Sequence, residues 1–325
     1  MNRTKRMGIA LLAVLAIMMT LLAGCGSSQE AAAPEGDQIS IVTTIFPEYD
    51  WVENILGEGA ENVTVSQLLD NGVDLHSYQP TAEDLAKLST CDLFIYVGGE
   101  SDGWVEDALQ EATNPDMVVI DLMEVLGDNV KEEEVVEGME AEEEEGPAYD
   151  EHVWLSLNKA RTLVQEISDG ICEIDPDNAA LYEANTAAYL EQLTALDAEY
   201  RAAVEAAPVK TLLFGDRFPF RYLTDDYGLE YYAAFAGCSA ETEASFETVT
   251  FLARKVDELG LKTVMAVDGS DQKIAQTIIS SSKNQDAVIR VLDSMQTATS
   301  KDVAAGKTYL STMTENLAVL KEALQ

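Results

Sequence analysis

The sequence predicts an α/β protein of two lobes, each with a mostly parallel sheet, joined by a long rigid helix. Apolar runs of strand length alternate with helical patterns in both halves of the chain, which is typical of parallel sheets covered by helices. Between the halves, Asp175-Pro176-Asp177 precedes a helical pattern over 178–207 that contains no glycine or proline and ends at Pro208.

The N-terminal lobe is predicted over residues 37–174. Its strands are expected at Ile39–Ile45, Val63–Leu68, Leu93–Val97 and Val118–Leu122. Helical patterns cover Tyr49–Leu56 and Thr81–Ser89, and the hydroxyl of Thr81 is suited to cap the second helix.

The C-terminal lobe is predicted over residues 208–325. Its strands are expected at Thr211–Phe214, Tyr231–Phe235, Thr263–Val267 and Val288–Leu292. Within the linker, residues 175–207, the helical pattern over 178–207 would reach roughly 45 Å at 1.5 Å per residue, enough to span both lobes. The alternative is a helix packed along one lobe only, whereas a linker would contact both.

The first 36 residues are interpreted as an export signal and an anchor. Arg3, Lys5 and Arg6 precede an apolar stretch over 7–22, so residues 1–24 are predicted to be a signal peptide. A retained transmembrane span is the alternative, because the stretch is about as long as the shortest such helices. Leu22-Ala23-Gly24-Cys25 resembles the bacterial lipobox, which implies cleavage before Cys25 and a diacylglycerol on its sulfur. Residues 25–36 would then tether an extracytoplasmic protein to the membrane.

Charge narrows the possible partners. The chain has 20 basic and 59 acidic residues, and loss of residues 1–24 would leave 17 basic residues and a net charge of −42. Nucleic acid is therefore excluded as a natural partner. The stretch 131–146 is dominated by glutamate and is expected to be a mobile loop. It would serve either as a weak collector of cations or as a solvated insertion without a specific role.

The chain contains only two histidines. His76 and His152 both lie at the ends of predicted elements of the N-terminal lobe, where open α/β sheets form ligand crevices. Neutral imidazole is the commonest transition-metal ligand. Taken singly, each would more often be an ordinary hydrogen-bonded histidine, so the interpretation depends on the residues around them.

The segments around the histidines resemble those that carry metal ligands in one family. VDLHSYQPTAEDL contains His76 and DEHVWLSLNKA contains His152, and both are similar to segments of the cluster A-I solute-binding lipoproteins of zinc and manganese ABC importers. IVTTIFPEYDWVENI and GKTYLSTMTENLAVLKEAL extend the resemblance from Ile39 to Leu324. It implies a monomer that holds one metal ion between its lobes and delivers it to a membrane permease.

The resemblance implies two further ligands from the C-terminal lobe. Asp216, in LFGDRFPF, matches a position where the family has histidine or glutamate, although the spacing to Tyr227 is one residue longer than usual. Asp293, in VLDSM, matches the fourth ligand. Asp268 is the reserve candidate, at a family position that we interpret as supporting a ligand.

The ligand set His76, His152, Asp216 and Asp293 leaves the choice of metal open. Mixed nitrogen and oxygen donors favour Mn²⁺ or Fe²⁺, and the absence of histidines from the acidic loop points the same way. Zn²⁺ outcompetes Mn²⁺ at most sites of this type. The sequence therefore favours Zn²⁺ and Mn²⁺ equally as the transported ion.

Three cysteines would remain after lipidation: Cys91, Cys172 and Cys238. At most one disulfide can form among them, and the sequence does not assign its pairing. Cys238 follows a predicted strand, where a thiolate ligand would favour zinc, although a buried or disulfide-bonded cysteine is the more usual case.

Two other classes of function were weighed. A metal held by histidines and carboxylates can activate water, as in a metal-dependent hydrolase. A surface adhesin with a structural metal is the second alternative. The sequence has no HExxH, GxSxG or glycine-rich phosphate loop, so we predict that the protein is not an enzyme.

Overall fold

The computed structural model describes residues 38–140, 148–239 and 243–325. The predicted signal peptide, Cys25 and its tether lie outside these ranges. From Ile39 to Gln325 the chain forms one compact unit that contains two four-stranded parallel sheets. The predicted fold class is confirmed.

The N-terminal sheet has the strand order β2-β1-β3-β4. Its strands are β1 Ile39–Thr43, β2 Val63–Gln67, β3 Leu93–Tyr96 and β4 Val118–Asp121, as predicted to within a few residues. Its helices are α1 Phe46–Leu56, α2 Ala82–Thr90, α3 Val105–Gln110, α4 Leu122–Leu126 and α5 Leu157–Ile174. Thr81 caps α2 as expected, because its Oγ1 accepts a hydrogen bond from Asp84 N at 3.2 Å.

Helix α6, Ala179–Ala206, is the predicted linker. Its 28 residues span about 42 Å. In its N-terminal half, Asn185 Nδ2 donates to the carbonyl of Ile55 at 2.9 Å. In its C-terminal half, the Tyr200 hydroxyl donates to the carbonyl of Met313 at 2.6 Å. The helix contacts both lobes, so the alternative in which it packs along one lobe only is wrong.

The C-terminal sheet has the strand order β6-β5-β7-β8. Its strands are β5 Thr211–Phe218, β6 Glu230–Ala236, β7 Thr263–Val267 and β8 Val288–Leu292. Its helices are α7 Arg221–Tyr227, α8 Phe246–Leu259, α9 Lys273–Ser281, α10 Ser300–Ala304 and α11 Tyr309–Ala323.

Strand β5 runs four residues beyond its predicted end at Phe214. Its register shifts between Phe214 and Arg217, and the strand continues through Gly215 and Asp216. A Cβ on Gly215 would lie 2.4 Å from the Cα of Ala275, so only glycine lets α9 pack this closely on the strand. Gly215 and Asp216 interrupt the apolar run from which the strand was predicted, which is why its end was placed too early. Asp216 therefore lies within the strand rather than after it.

The main apolar core is continuous across the boundary between the lobes. Trp51, from α1, packs edge-on against Tyr309 of α11 with ring centroids 5.2 Å apart. The hydroxyl of Tyr309 donates to the carbonyl of Trp154 at 2.6 Å. Because Trp154 lies two residues beyond His152, this packed boundary supports the segment that carries the histidine.

The described part of the acidic stretch, residues 131–140, lies on the C-terminal lobe. Glu140 N donates to the carbonyl of Ala234 at 2.9 Å, and Glu134 forms an ion pair with Arg221 at 3.1 Å. Met139 is buried. These contacts differ from the expected mobile loop, because Met139 supplies an apolar contact that glutamates alone lack.

Cys91, Cys172 and Cys238 all carry free thiols, so none of them pairs with another. In the three described ranges, every helix is too short or too polar to cross a membrane.

Candidate metal site between the lobes

His76 is positioned by a short 3₁₀ turn, Leu75–Ser77, that follows β2. The turn is capped by Asp74, whose Oδ1 accepts from His76 N at 3.1 Å. His76 Nδ1 lies 2.7 Å from Ser101 Oγ and 3.5 Å from Glu151 Oε2. The Ser101 hydroxyl can donate to Nδ1 or accept from it, so either tautomer of His76 satisfies this hydrogen bond.

His152 is fully buried at the start of a second 3₁₀ turn, Val153–Leu155. Asp150 Oδ1 accepts from His152 N at 2.9 Å and from its Nδ1 at 3.0 Å. These two bonds set the orientation of the ring and hold the proton on Nδ1. A carboxylate behind the imidazole is the usual support for a metal-binding histidine.

The two rings bring their Nε2 atoms to within 3.2 Å of each other. Because His152 carries its proton on Nδ1, its Nε2 presents a lone pair towards the Nε2 of His76. Two nitrogens bound to one tetrahedral zinc at about 2.0–2.1 Å are about 3.3 Å apart. The separation of the histidines therefore matches that of two ligands on one ion.

Burial keeps the ring of His76 unprotonated near pH 7. Burial first, and then the neighbouring His152, lowers the pKa of His76 to about 3. His76 is thus neutral near pH 7 and its Nε2 is free to bind a metal. Burial also raises the pKa of the Glu151 carboxyl, whose Oε1 accepts from Ser101 N at 2.9 Å.

Cys238 is the third donor at this position. Its Sγ and a ring nitrogen from each of His76 and His152 all lie within 4.8 Å of one another. A Cβ on the preceding Gly237 would lie 2.8 Å from the carbonyl oxygen of Phe218 and 3.2 Å from His152 Cε1. The glycine therefore lets the main chain pass close to the imidazole and brings the thiol beside it.

The main chain of Cys238 is also held in place, because its N–H donates to Glu133 Oε1 at 2.8 Å. Burial, followed by the charges of Asp150 and Glu133, raises the pKa of its thiol. From the sequence alone, a buried or disulfide-bonded cysteine is the more usual interpretation of Cys238. The available signal was its position just after β6, since the carboxyl ends of parallel strands meet at one edge of a sheet.

Asp216 lines a cavity of about 400 Å³ together with Asp74 and His76. Its Oδ2 accepts from Val267 N at 3.1 Å, and its Oδ1 accepts from Arg217 N at 3.0 Å. Asp216 thus lies near the histidines, but it is not among the group of donors that converge within 4.8 Å.

Asp293 and the reserve candidate Asp268 bind partners of their own lobe. Asp293 Oδ1 accepts from Met295 N at 2.8 Å, and Oδ2 forms an ion pair with Lys307. Asp268 Oδ1 accepts from Ser294 N at 2.5 Å and from its hydroxyl at 2.7 Å. Burial and the charge of Asp293 raise the pKa of Asp268. The structure therefore brings His76 and His152 together, but not the two predicted aspartate ligands with them.

Several residues at the site were not predicted from the sequence. Asp150 and Glu151 directly precede His152 in the sequence. Two acids in this position could have indicated carboxylates that lie beside the histidine rings. Gln296 carried no such signal. Its buried amide group ends 3.3 Å from His152 Nε2 and 3.2 Å from both carboxylate oxygens of Asp74. It reaches the histidine from the other lobe, which only the tertiary fold reveals.

Comparison with known families gives the same interpretation. Residues 41–323 match the family described as ZnuA, zinc-uptake complex component A, periplasmic. The chain belongs to this family. The ZnuA family comprises periplasmic components of metal uptake, which confirms the resemblance to solute-binding proteins seen in the sequence.

Two curated relatives illustrate the match. The ZnuA-family chain is 31% identical over 321 residues to the high-affinity zinc uptake system protein ZnuA of Bacillus subtilis, covering 96% of each chain. It is 28% identical over 294 residues to the zinc-binding protein AdcA of Streptococcus pyogenes, covering 87% of this chain and 56% of AdcA. It thus spans about half the length of the AdcA relatives that it matches.

Solved structures extend the similarity to the fold. The Zn(II)-bound ZnuA-like domain of Streptococcus pneumoniae AdcA matches with a TM-score of 0.70 at 28% identity, over 88% of this chain and 99% of that domain. The metal-dependent lipoprotein YcdH of Bacillus subtilis matches with a TM-score of 0.72 at 27% identity, over 88% and 100% of the two chains. Both alignments extend over most of the two-lobed unit of this ZnuA-family protein.

Proposed function

We propose that this ZnuA-family protein captures Zn²⁺ between its lobes, outside the cytoplasm, and delivers it to the permease of an ABC transporter. One observation carries the proposal. The Nε2 atoms of His76 and His152 face each other at 3.2 Å, and the Nδ1 atom of each ring has a hydrogen-bonding partner. This separation matches that of two ligands on a single zinc ion.

Zinc is proposed in preference to manganese. Imidazole nitrogens suit zinc, whereas manganese prefers carboxylates and water. The sequence favours manganese because of the two predicted aspartate ligands and the absence of histidines from the acidic loop. In the structure, neither carboxylate is among the donors that converge with the two histidines. The ZnuA of Bacillus subtilis and the AdcA of Streptococcus pyogenes are both named as zinc proteins. Manganese remains the competitor ion in the test.

The predicted ligands Asp216 and Asp293 can be tested on the metal-bound form. Either carboxylate would have to exchange its present partners for the ion: Asp216 its bond from Val267 N, and Asp293 its ion pair with Lys307. If they bind zinc, Asp216→Asn and Asp293→Asn will each lower the affinity. An unchanged affinity in either variant removes that residue from the ligand set.

Anchoring through Cys25 is the second part of the proposal. The lipobox-like Leu22-Ala23-Gly24-Cys25 and the family's place in a periplasmic uptake complex support it. A lipid on a flexible tether would keep the carrier close to its permease. Cys25→Ser should release the protein from the membrane fraction, and intact mass measurement should show the loss of the lipid. A variant that stays in the membrane would contradict the anchor.

Metal analysis of protein purified without added metal, followed by competition between Zn²⁺ and Mn²⁺, tests the main proposal. Tight zinc binding is expected in the wild type, and His76→Ala or His152→Ala should abolish it while circular dichroism stays unchanged. Wild-type protein that binds neither ion would refute the proposal. A deletion strain should contain less zinc, and this separates transport from an adhesive role with a structural metal.

The hydrolase alternative lacks support from the geometry. Catalytic zinc keeps an open coordination position that substrate can reach. Here the side chains of His76 and His152 are only 9% and 0% exposed. The matching family is described as a component of zinc uptake, which supports capture of an ion over turnover of an organic substrate.

A further inference from the structure

Cys238 lies closer to the histidine pair than the predicted aspartates do. The sulfur and one nitrogen from each ring lie within 4.8 Å of one another. On one tetrahedral zinc, sulfur and nitrogen would be about 3.6 Å apart, given Zn–S of about 2.3 Å and Zn–N of about 2.0–2.1 Å. Since the separations are at most 4.8 Å, they exceed the expected sulfur–nitrogen distance by no more than about 1.2 Å.

We propose that Cys238 Sγ is the third protein ligand of the ion held by His76 and His152. The resulting two-nitrogen, one-sulfur site would select thiophilic divalent ions, zinc and cadmium, over manganese. This inference rests on the proposed function, because it adds a ligand and a selectivity to the same site. It assigns to Cys238 the place that the sequence resemblance gives to Asp216.

The residues around Cys238 hold it beside the two histidines. It forms no disulfide, so the commonest role of a cysteine in an exported protein does not apply to it. Gly237 allows the chain to pass against His152, and Glu133 binds the main-chain N–H of Cys238 at 2.8 Å. Asp150, which orients His152, also lies beside Gly237. The same small group of residues thus positions both donors.

The aspartate alternative is weaker on geometry. Asp216 Oδ2 is bound by the main-chain N–H of Val267, within the sheet that forms the C-terminal core. Moving that carboxylate onto the ion would leave a buried N–H without its partner, at a cost of about 1–3 kcal/mol. The Cys238 thiol accepts from the main-chain N–H of Glu151, but sulfur is a weak acceptor, so the thiol can move towards the ion at lower cost.

Ligation by sulfur has a defined chemistry. The thiolate is the form that binds metals, so the S–H bond breaks as the metal–sulfur bond forms, and the proton leaves to bulk water. Sulfur donates the electron pair that the S–H bond releases, and no oxidant or reductant is needed. Thiolate ligands select zinc and other soft ions, whereas manganese gains little from sulfur.

Absorption spectroscopy with Co²⁺ and Cd²⁺ tests the proposal directly. A thiolate ligand produces charge-transfer absorption in the near ultraviolet, which nitrogen and oxygen donors lack. The wild type should show this band, and Cys238→Ser should lose it. Removing a residue that merely supports a ligand costs about 10–100-fold in metal affinity, so losing the ligand itself should lower zinc affinity at least roughly 100-fold. The affinity for manganese should change little.

Cys172→Ser is the matched control. Its thiol is also free and partly buried, but it lies on α5 and its Sγ contacts the carbonyl of Ala179 at 3.8 Å. This variant should keep both the band and the zinc affinity. Cys238→Ala, examined alongside with urea unfolding in chelator, excludes a serine hydroxyl as substitute ligand and shows whether the variant folds.

The outcomes separate the two proposals. Zinc binding by the wild type without a charge-transfer band, or with unchanged affinity in folded Cys238→Ala, overturns the role of Cys238 and leaves zinc capture standing. Failure of the wild type to bind zinc at all refutes the proposed function itself. Loss of the band in Cys238→Ser but not in Cys172→Ser establishes the sulfur ligand.

Discussion

Trp154 Nε1 donates a hydrogen bond to the main-chain carbonyl of Ser294 at 2.8 Å, across the boundary between the lobes. Both residues are buried and lie close in sequence to predicted metal ligands. Trp154 is two residues from His152, and Ser294 directly follows Asp293. The bond therefore connects the segment that carries His152 to the segment that follows β8 in the C-terminal lobe.

Trp154→Phe should destabilise the protein by about 1–3 kcal/mol, because it leaves the buried Ser294 carbonyl without this donor. Urea unfolding of the metal-free protein measures the loss. Trp51→Phe is the matched control, since Trp51 is equally buried but its Nε1 has no hydrogen-bond partner. Similar losses in both variants would show that ring volume, not the inter-lobe bond, sets the cost.

Removal of Asp150 should weaken zinc binding by about 10–100-fold, because its carboxylate orients His152 and holds the proton on Nδ1. Asp150→Ala tests the full loss, and Asp150→Asn should recover part of the affinity because its amide oxygen can still accept from Nδ1. Isothermal titration with zinc measures both. Asp169→Ala, an exposed position on α5, should bind like the wild type. Unchanged affinity in Asp150→Ala would mean that His152 needs no carboxylate support.

Acid should destabilise the metal-free protein through His76. Its pKa falls from 6.5 in a solvated histidine to about 3 in the fold, chiefly by burial. Between these values the unfolded chain binds a proton that the folded chain does not, so stability rises with pH in this window. At pH 5 the loss attributable to His76 should be about 1–2 kcal/mol relative to pH 7.

The measurement must be a difference between two proteins, because other groups titrate with the opposite sign. Burial raises the pKa of Asp102 to about 7, so its contribution to stability falls as pH rises towards that value. Urea unfolding of wild type and His76→Gln from pH 7.5 to pH 5 isolates the histidine. The variant should lose less stability in acid than the wild type, and parallel profiles would contradict the prediction.

Zinc affinity should itself fall on acidification, because a Cys238 ligand must release its thiol proton to bind the metal, whereas His76, with a pKa of about 3, stays unprotonated over this range. Titrations at pH 7.5 and pH 5.5 in one buffer of constant ionic strength measure the change. A flat profile would argue against the thiolate ligand, since no thiol proton would then be exchanged for the ion.

The acidic segment 131–140 should contribute to stability through Tyr222. The Tyr222 hydroxyl donates to the carbonyl of Asp150 at 2.7 Å and accepts from Lys131 N at 3.0 Å. Tyr222→Phe removes both bonds and should cost about 1–3 kcal/mol in urea unfolding. Tyr149→Phe is the control, because Tyr149 is 47% exposed. Equal stability of the wild type and Tyr222→Phe would show that the segment adds nothing to the fold.

Much of the fold could be predicted because it depends on patterns within short stretches of the sequence. Alternation of apolar strands with helical patterns located all eight strands of the described residues, and the run without glycine or proline located the linker α6. The end of β5 could not be predicted, because the close approach of α9 at Gly215 is a contact between distant segments. The packing of residues 131–140 was missed for a similar reason, since Met139 is buried by residues far along the chain.

By itself the sequence determined the two-lobed α/β architecture, the family resemblance and the two histidines as candidate metal ligands, because each depends on residues near one another along the chain. Only the tertiary structure decided which third donor stands beside His76 and His152. Main-chain and side-chain donors of the folded C-terminal lobe bind the carboxylates of Asp216 and Asp293. Cys238 lies beside the rings because Gly237 lets its chain pass against His152, a contact between positions 85 residues apart that no local pattern encodes.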